Sequence, residues 1–394
     1  MDVFVTGFGV ISALGCGVDE NFNELKENQT GISKAIFFES SFVDVFPFGE
    51  VKKSTEELHQ ILDLTLNSSL TRTDLFALIA TQEAIKMANL SREEVSSFET
   101  ALITSSTVGG MVETDFLYED SNLLSTGSPF LFSYGSGAHT QKLIEHFKFQ
   151  GYTDTINTAC SSSANAIMMG VKLIRSGKVK RAIVGGTDSL SKFTINGFNS
   201  LQILSKKNCS PFSSERDGLN LGEGAGYLVL ESSEVVKDKK LYAKIIGYGN
   251  SNDAFHPTAL SDDAKGVIDA MKKALISAKI KEDDIDFINM HGTATENNDR
   301  TEIIGIKEIF KKIPLFNSTK SYTGHTLAAA GSIEAIYSIL SIQNNLLFKS
   351  LNSHNPIVYN PLFDSNIKNI DVKIIMSNSF GFGGNCSSLI ISKI

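Results

Sequence analysis

The sequence predicts an α/β protein whose strands pair largely in parallel, and two observations carry this prediction. Short apolar runs rich in β-branched residues alternate with longer segments in which apolar residues recur at three- and four-residue steps. Several of the short runs also end in loops rich in Gly and Thr. Alternating strands and helices are typical of a sheet covered by helices, with functional residues in the loops at the strand ends.

The first hundred residues already show this alternation. Residues 3–5 are apolar and predict a strand, which the flexible stretch 7–9 (Gly-Phe-Gly) then interrupts. Residues 54–95 have helical spacing and are predicted to be mostly helical, with a break near residues 68–73. A second strand is predicted at 101–104 and ends in a Val-Gly-Gly turn.

The middle of the chain continues the pattern around a cysteine. Residues 153–159, short and rich in Thr, predict the end of a strand. Residues 164–174 carry the apolar face of a helix, which is predicted to stop at 176–177 (Ser-Gly). The next strand is predicted at 181–184, closing on the glycine pair 185–186.

The second half of the chain is similar to the first. Residues 84–95 align without a gap on residues 274–285, and a predicted strand follows in each case. The alternative is that any amphipathic helix before a strand gives such a match. A duplication would place the join near residues 232–242, with one half at 1–235 and the other at 236–394.

Composition excludes several classes of function. The net charge is -8, and no block of Lys and Arg stands out, so a nucleic-acid partner is not expected. No apolar run is long enough to span a bilayer, and the N-terminus looks like a first strand rather than a signal peptide. The cysteines lack C-x-x-C spacing, which argues against zinc and disulfides and indicates a cytoplasmic protein; they are Cys16, Cys160, Cys209 and Cys386.

Cys160 lies between the predicted strand and the predicted helix. Unpaired N–H groups at a helix N-terminus favour negative charge, so this position predicts an easily ionised, nucleophilic thiol. The alternative is a small buried apolar residue, which is the usual environment of a free Cys.

Two more stretches place a histidine among Gly and Thr just after a predicted strand. They are residues 289–295, which contain His291, and residues 318–325, which contain Lys320 and His325. A single loop histidine is often only solvated. Together with a cysteine nucleophile, however, two imidazoles and a lysine indicate nucleophilic catalysis on an acyl group.

Two glycine-rich stretches have different interpretations. Residues 378–386 follow a predicted strand at 372–376, and their glycines allow a turn that aims N–H groups at an oxyanion. An ordinary turn between the last two strands is the alternative. Residues 222–226 lack the Lys-Ser/Thr ending of a phosphate loop and run into a strand, so they predict a close-packed entry to a sheet.

Taken together and in this order, these stretches resemble the β-ketoacyl-acyl-carrier-protein synthases, in particular their elongating branch. The resemblance runs from residues 5–10 to 380–384 and includes Pro211-Phe212 and the stretch 216–226. It implies a thiolase-like fold, in which two duplicated α/β halves form five layers (α-β-α-β-α), normally as a dimer.

The resemblance also implies catalytic roles. Cys160 matches the cysteine that receives the acyl chain, and His291 and His325 match the histidines that assist decarboxylation of malonyl carrier protein. Lys320 matches the supporting lysine, and Glu302 matches an acidic residue of the same polar network. The presence of two histidines separates this chain from the initiating branch, which uses His and Asn.

Binding residues follow in the same way. Thr293 and Thr295 match the threonines that contact the phosphopantetheine arm. Phe382 matches the gating phenylalanine, whose backbone N–H joins that of the nucleophilic cysteine in the oxyanion hole. Val108 and Phe198 are candidates for the end of the acyl pocket; for both, a plain core position is the alternative.

The chain departs from the family pattern at two places. Glu296-Asn297 stands where Pro and a small or apolar residue are usual, and Asn385-Cys386 replaces Thr-Asn. Both lie beside the expected site, so they affect substrate preference and loop motion rather than the reaction. Thiolases use a second cysteine near the C-terminus, but Cys386 lacks their Cys-x-Gly setting and is expected to be structural.

The implied activity is a decarboxylative Claisen condensation in fatty-acid elongation. It joins an acyl group and a malonyl group, each carried as a thioester on acyl carrier protein. It requires no metal and no redox cofactor, since the phosphopantetheine of the carrier delivers both substrates. One alternative is a ketosynthase of an aryl-polyene or polyketide pigment pathway, as a homodimer or paired with a chain-length-factor-like chain. A second is the non-catalytic factor itself, which would leave the intact set of cysteine and histidines unexplained.

Overall fold

A computed structural model describes residues 1–65 and 69–394 of the chain. Its strands are β1 (Val3–Ser12), β2 (Gly15–Cys16), β3 (Thr100–Ser105), β4 (Thr153–Ile156), β5 (Arg181–Asp188), β6 (Gly224–Ser232), β7 (Ala243–Asn252), β8 (Phe287–Asn289), β9 (Leu315–Asn317), β10 (Leu346–Leu347), β11 (Ile367–Lys368), β12 (Ile374–Phe380) and β13 (Asn385–Ser392).

The helices lie mostly between strands, as the sequence predicts. In the described residues, the α-helices are α1 (Val18–Lys26), α2 (Thr55–Ile61), α3 (Arg72–Met87), α4 (Arg92–Ser96), α5 (Thr114–Leu123), α6 (Ala138–Phe147), α7 (Ser162–Arg175), α8 (Lys192–Ser200), α9 (Lys265–Ala278), α10 (Glu296–Ile309), α11 (Lys320–Thr323) and α12 (Ala330–Asn344).

The strand order confirms the duplication. The first half-sheet has the spatial order β4-β3-β5-β6-β1, and the second has the order β9-β8-β12-β13-β7. When the two-residue strands β2, β10 and β11 are left out, the third strand along each half lies at the edge, followed by the second, fourth, fifth and first. The first three strands of each row pair in parallel and the remaining pairs are antiparallel. The predicted largely parallel pairing is therefore wrong: each half-sheet has two parallel and two antiparallel pairs, because β6 and β13 run antiparallel to both of their neighbours. The half-sheets meet where β1 pairs with β7 at Phe4↔Lys244 and Val5↔Ala243.

Helices cover both faces of each half-sheet and give five layers. The α3 helix packs on β1, β5 and β6, and α9 packs on β7 and β13, which forms the two outer layers. Helices α7 and α12 pack against each other and against strands of both halves, which forms the middle layer. One apolar cluster runs through this layer and joins the halves. On these grounds we propose that the chain divides into units at 1–235 and 236–394.

Three predicted strand ends are wrong. The strand predicted at 372–376 runs on to Phe380, and in the other two places the strand continues through glycine. The predicted break at residues 7–9 lies inside β1, and the predicted end at 185–186 lies inside β5. A Cβ at Gly7 would lie 2.4 Å from the carbonyl oxygen of Ala84, and one at Gly9 would lie 2.2 Å from that of Ala80. These glycines therefore bring α3 into close contact with the strand rather than interrupting it.

The break predicted within residues 54–95 is present. Helix α2 ends at Ile61 and α3 begins at Arg72, where Thr71 and Asp74 form a capping box. Ser68, at the start of the predicted break, lies outside the described residues. No helix in the described part of the chain is both long enough and apolar enough to cross a bilayer.

Candidate active site

The cysteine lies at a tight turn between β4 and α7. Ala159, the residue before it, has a left-handed backbone (φ 52°), and α7 begins at Ser162, two residues after Cys160. A non-glycine residue in this region is uncommon and is often found at functional sites. The turn points the thiol of Cys160 into a cavity, although only 6% of the residue is exposed.

Burial opposes the predicted ionisation of this thiol. It raises the pKa of Cys160 to about 11. The backbone N–H of Phe382, the charge of Lys320 and the N–H of Cys160 itself act in the opposite direction but do not outweigh it. The position at the helix start is as predicted, whereas the expectation of a ready thiolate is wrong for this state, because desolvation of the charged form dominates.

Both predicted histidines lie beside the thiol. The Cys160 Sγ and one ring nitrogen each of His291 and His325 lie within 4.8 Å of one another, and the two rings meet edge to face at 5.4 Å. Burial, followed by the charge of Lys320, holds the pKa of each imidazole well below its usual value. The two rings are therefore neutral at pH 7.

Hydrogen bonding fixes the tautomer of one ring. The backbone N–H of Leu327 donates to Nδ1 of His325 at 3.3 Å, so the proton of the neutral ring is on Nε2. That Nε2, and Nδ1 of His291, are buried without a hydrogen-bond partner among the described residues. Buried polar atoms normally have partners, so an unpaired N–H beside a reactive thiol indicates a position for a substrate oxygen.

Lys320 has a partner that the sequence did not suggest. Its ammonium group pairs with the carboxylate of Glu334 on α12, and both side chains are buried. Glu334 is the one charged residue of α12, whose other residues are apolar, small or uncharged. That pattern is the signal that could have identified it, because a carboxylate on such a helix has to be paired.

Glu302 is in the site, but it acts on the backbone. Its two carboxylate oxygens accept the N–H groups of His291 and Gly292, each at 2.9 Å. Burial raises the pKa of Glu302 to about 7, and these two N–H groups oppose the rise. Glu302 therefore holds the loop that carries the first histidine.

The predicted gate lies against the predicted pocket wall. The ring of Phe382 stacks on that of Phe198, with centroids 5.5 Å apart and planes inclined by 18°. Gly381, just before the gate, packs on the cysteine turn, and a Cβ there would lie 2.8 Å from the carbonyl oxygen of Thr158. This close approach brings the N–H of Phe382 to the Cys160 sulfur.

The cavity in front of the thiol has a volume of about 280 Å³. Thr293 and Thr295 line it, with their hydroxyl oxygens 2.9 Å apart, and Phe198 forms part of its apolar wall. Val108 is fully buried in the apolar cluster that also contains Phe198 and Ile203, but it does not line the cavity. It therefore lies behind the wall, not on its surface.

The first departure from the family pattern shapes the mouth of the cavity. Glu296 is exposed there and pairs with the buried guanidinium of Arg216. The amide of Asn297 accepts the N–H of Leu260 at 2.8 Å and donates to its carbonyl at 3.0 Å. This two-point contact positions the loop around Thr258, which lines the cavity.

Cys209 and Cys386 are buried and structural in their surroundings. Cys386 is fully buried in the apolar cluster of the second half, and burial raises its pKa far above the usual value. Burial also raises the pKa of Cys209 to about 12. All four cysteines are free thiols.

Comparison with known proteins agrees with this geometry. The family model for the N-terminal domain of β-ketoacyl synthases matches residues 1–235, and the model for the C-terminal domain matches residues 242–354. The 3-oxoacyl-[acyl-carrier-protein] synthase 2 of Staphylococcus aureus (strain COL) is 32% identical over 412 residues, covering 99% of this chain and 98% of the relative. The protein of the same name from Rhizobium meliloti (strain 1021) is 32% identical over 421 residues, with the same coverage.

Solved structures show the same fold. The ishigamide ketosynthase/chain length factor has a TM-score of 0.91 at 28% identity, with 100% of this chain and 99% of that chain covered. The ketosynthase ApeO in complex with its chain length factor ApeC, from Xenorhabdus doucetiae, has a TM-score of 0.85 at 29% identity, with 100% and 98% covered.

Proposed function

The chain belongs to the β-ketoacyl synthase family, and from that premise we propose that it is a 3-oxoacyl-[acyl-carrier-protein] synthase, an acyltransferase of fatty-acid elongation. The observation that carries this proposal is the approach of one thiol and two neutral imidazoles within 4.8 Å, in a largely apolar cavity. A nucleophile and two hydrogen-bond donors are what a decarboxylative condensation requires.

In the first half-reaction, the sulfur of Cys160 attacks the thioester carbonyl of an acyl carrier protein. The carbonyl oxygen becomes an oxyanion, which the N–H groups of Cys160 and Phe382 stabilise. The intermediate collapses, the carbon–sulfur bond to the carrier breaks, and the carrier thiol leaves with the proton that Cys160 gave up. The product is acyl-Cys160.

In the second half-reaction, malonyl carrier protein enters the same cavity. Loss of CO2 leaves the electron pair of the broken carbon–carbon bond on an enolate, whose oxygen accepts hydrogen bonds from His291 and His325. Neutral rings suit this role because they donate without giving up the proton. The enolate carbon then attacks acyl-Cys160, the thiolate leaves, and a 3-oxoacyl carrier protein is released.

The pigment alternative has its own support. Structures of ketosynthases paired with a chain length factor are 28% and 29% identical to this chain, with TM-scores of 0.91 and 0.85. A ketosynthase of a polyene or polyketide pathway would carry the same cysteine and histidines and differ in the pocket. The non-catalytic factor itself is disfavoured, because it would not need a thiol flanked by two imidazoles.

The partners follow from the chemistry. Acyl carrier protein delivers both substrates, and a second chain of the same fold, like or unlike, completes the dimer. Decarboxylation supplies the nucleophile, so no metal or redox cofactor is part of the proposal. We place the protein in the cytoplasm, where four unpaired thiols remain reduced.

The test is to incubate the protein with acyl carrier protein bearing saturated chains of increasing length and to map the modified peptide. We expect an adduct on Cys160 alone, and loss of condensation in Cys160→Ser, because a serine hydroxyl is far less ionised. An adduct on Cys209 or Cys386 would overturn the assignment. Faster condensation on polyenoyl than on saturated carrier would favour the pigment pathway.

A further inference from the structure

Asn385 begins β13 directly after the Gly-rich turn and replaces the threonine usual in the family that the sequence resembles. Its amide oxygen accepts hydrogen bonds from Ser161 Oγ at 2.8 Å, Asn165 Nδ2 at 2.9 Å and Asn250 Nδ2 at 2.8 Å. Ser161 follows Cys160, Asn165 lies in the first turns of α7, and Asn250 lies on β7. One oxygen therefore joins the nucleophile turn to the sheet of the second half.

The backbone of the same residue holds the other side of the site. The carbonyl oxygen of Asn385 accepts the N–H of Gly381 at 2.7 Å. Gly381 precedes Phe382 and packs directly against Thr158 and the N–H of Cys160. The side chain of Asn385 thus fixes the cysteine turn, and its main chain fixes the Phe382 turn.

These turns carry the backbone N–H groups of Cys160 and Phe382, both of which act to stabilise the thiolate of Cys160. An oxyanion hole works only when both donors meet the position that the oxygen will occupy, so their spacing is what matters. From this geometry we propose that Asn385 is a positioning residue that sets the spacing between the N–H groups of Cys160 and Phe382. The proposal rests on the function given above, of which it names a further determinant.

Two reagents separate this role from a general effect on the thiol. Acetylation of Cys160 by p-nitrophenyl acetate passes through an oxyanion, whereas alkylation by iodoacetamide is a direct displacement without one. Both need the thiolate, so the ratio of the two rates reports on the oxyanion hole and not on ionisation. Neither reagent requires a carrier protein.

The informative variant is Asn385→Leu, which keeps the approximate volume and removes the acceptor. We expect its acetylation-to-alkylation ratio to fall about 10²-fold, the loss that small misplacement of a catalytic group causes. Asn385→Asp keeps an oxygen for the same donors. Its ratio is expected to stay within about fivefold of wild type, a much smaller change than the roughly 10²–10³-fold loss caused by removing one oxyanion donor. Should the leucine variant fail to fold, Asn385→Ala removes the same oxygen and carries the same expectation.

The matched control is Asn21→Leu. Asn21 is fully buried in α1, and its amide oxygen likewise accepts hydroxyl groups, those of Ser12 and Tyr337. It should lower the melting temperature and leave the ratio unchanged. An unchanged ratio in Asn385→Leu, with only a lower melting temperature, would overturn the proposal. If the wild-type protein reacts with p-nitrophenyl acetate but not with acyl-loaded carrier protein, the proposed synthase function is refuted, while the result on Asn385 still holds.

Discussion

The two half-sheets have the same strand order, but different residues follow equivalent strands. Cys160 lies just after β4 in the first half, and Lys320 lies just after β9, its counterpart in the second. His291 follows β8, and the counterpart of β8 in the first half is β3, which leads to the buried Val108. The duplicated scaffold thus fixes where loops meet, and the loop sequences divide the chemistry between nucleophile and activating groups.

A buried carboxylate in each half makes the contrast sharper. Asp188, at the end of β5, accepts hydrogen bonds from Ser106, Thr107 and Val108, and a further bond from the N–H of Ala328. All of these donors are neutral, and burial raises the pKa of the carboxyl group. Asp188 therefore holds the loop after β3 and the segment around Ala328 in place, and among the described residues it pairs with no cation in the site.

Glu334 in the second half has the opposite arrangement. It pairs with Lys320, whose charge lowers the pKa of Cys160, His291 and His325. A buried acid can therefore hold a loop with neutral donors alone, whereas a positive charge buried near the thiol requires an opposite charge beside it.

The largest expected effect comes from breaking that ion pair. Glu334→Leu leaves the ammonium of Lys320 buried and alone, which should lower the free energy of unfolding by about 3–5 kcal/mol. The double variant Lys320→Met/Glu334→Leu should recover most of that stability, because no uncompensated charge remains. Urea unfolding of the single and double variants measures both values. Equal stability of the two would show that the pair is not coupled as described.

The histidine variants test the division of labour between the halves. His291→Ala and His325→Ala should still form acyl-Cys160, since the nucleophile and both oxyanion donors remain. Decarboxylation of malonyl carrier protein should fall about 10²–10³-fold, the usual cost of losing one such donor. Release of labelled CO2 from malonyl carrier measures this step. If a variant releases labelled CO2 at the wild-type rate, the histidine it lacks does not assist decarboxylation and has another role.

The raised pKa of the thiol predicts a pH dependence. With the pKa of Cys160 at about 11, the thiolate fraction rises tenfold per pH unit over the neutral range. Alkylation by iodoacetamide should therefore be about 100-fold faster at pH 9 than at pH 7, from that thiolate fraction alone. Cys160→Ser gives the background rate. A plateau already reached near pH 8 would mean that the helix start and Lys320 outweigh burial after all.

Val108 gives the smallest expected effect. It belongs to the apolar cluster on which Phe198 and Ile203 of the cavity wall pack, so we expect Val108→Phe to press that wall inward. We expect condensation to fall progressively with acyl length, by about 1–3 kcal/mol in activation free energy for each excluded methylene. Rates against chain length, with melting temperatures alongside, measure this. A uniform loss that tracks a lower melting temperature would show that Val108 does not shape the cavity wall.

Much of the site could be predicted from the sequence because its parts are local. Strand ends, Gly-Thr loops and the spacing of the α7 face identify Cys160, His291 and His325 as loop residues, and the structure brings them together. Strands that end at the same edge of a sheet are expected to do this. Lys320 is predicted in the same kind of loop, but it begins the short helix α11.

What could not be predicted depends on packing between distant elements. The glycines of β1 read as a break because nothing local shows that α3 lies on them. The ionisation of Cys160 depends on its desolvation in the folded protein. The spacing of residues along the sequence does not show which side chains from the two halves surround the thiol. The network around Asn385 joins residues from both halves for the same reason.

The middle layer has a consequence for synthesis on the ribosome. Helix α12 is buried along thirteen of its fifteen residues, and it packs on α7, β1 and β6 of the first half. These surfaces of the first half are synthesised before α12, which covers them. The ribosome has to add roughly a hundred further residues after β6 to reach α12, which takes on the order of ten seconds. We expect the nascent chain to expose an apolar face during that time, which would make it prone to aggregation until α12 has been made.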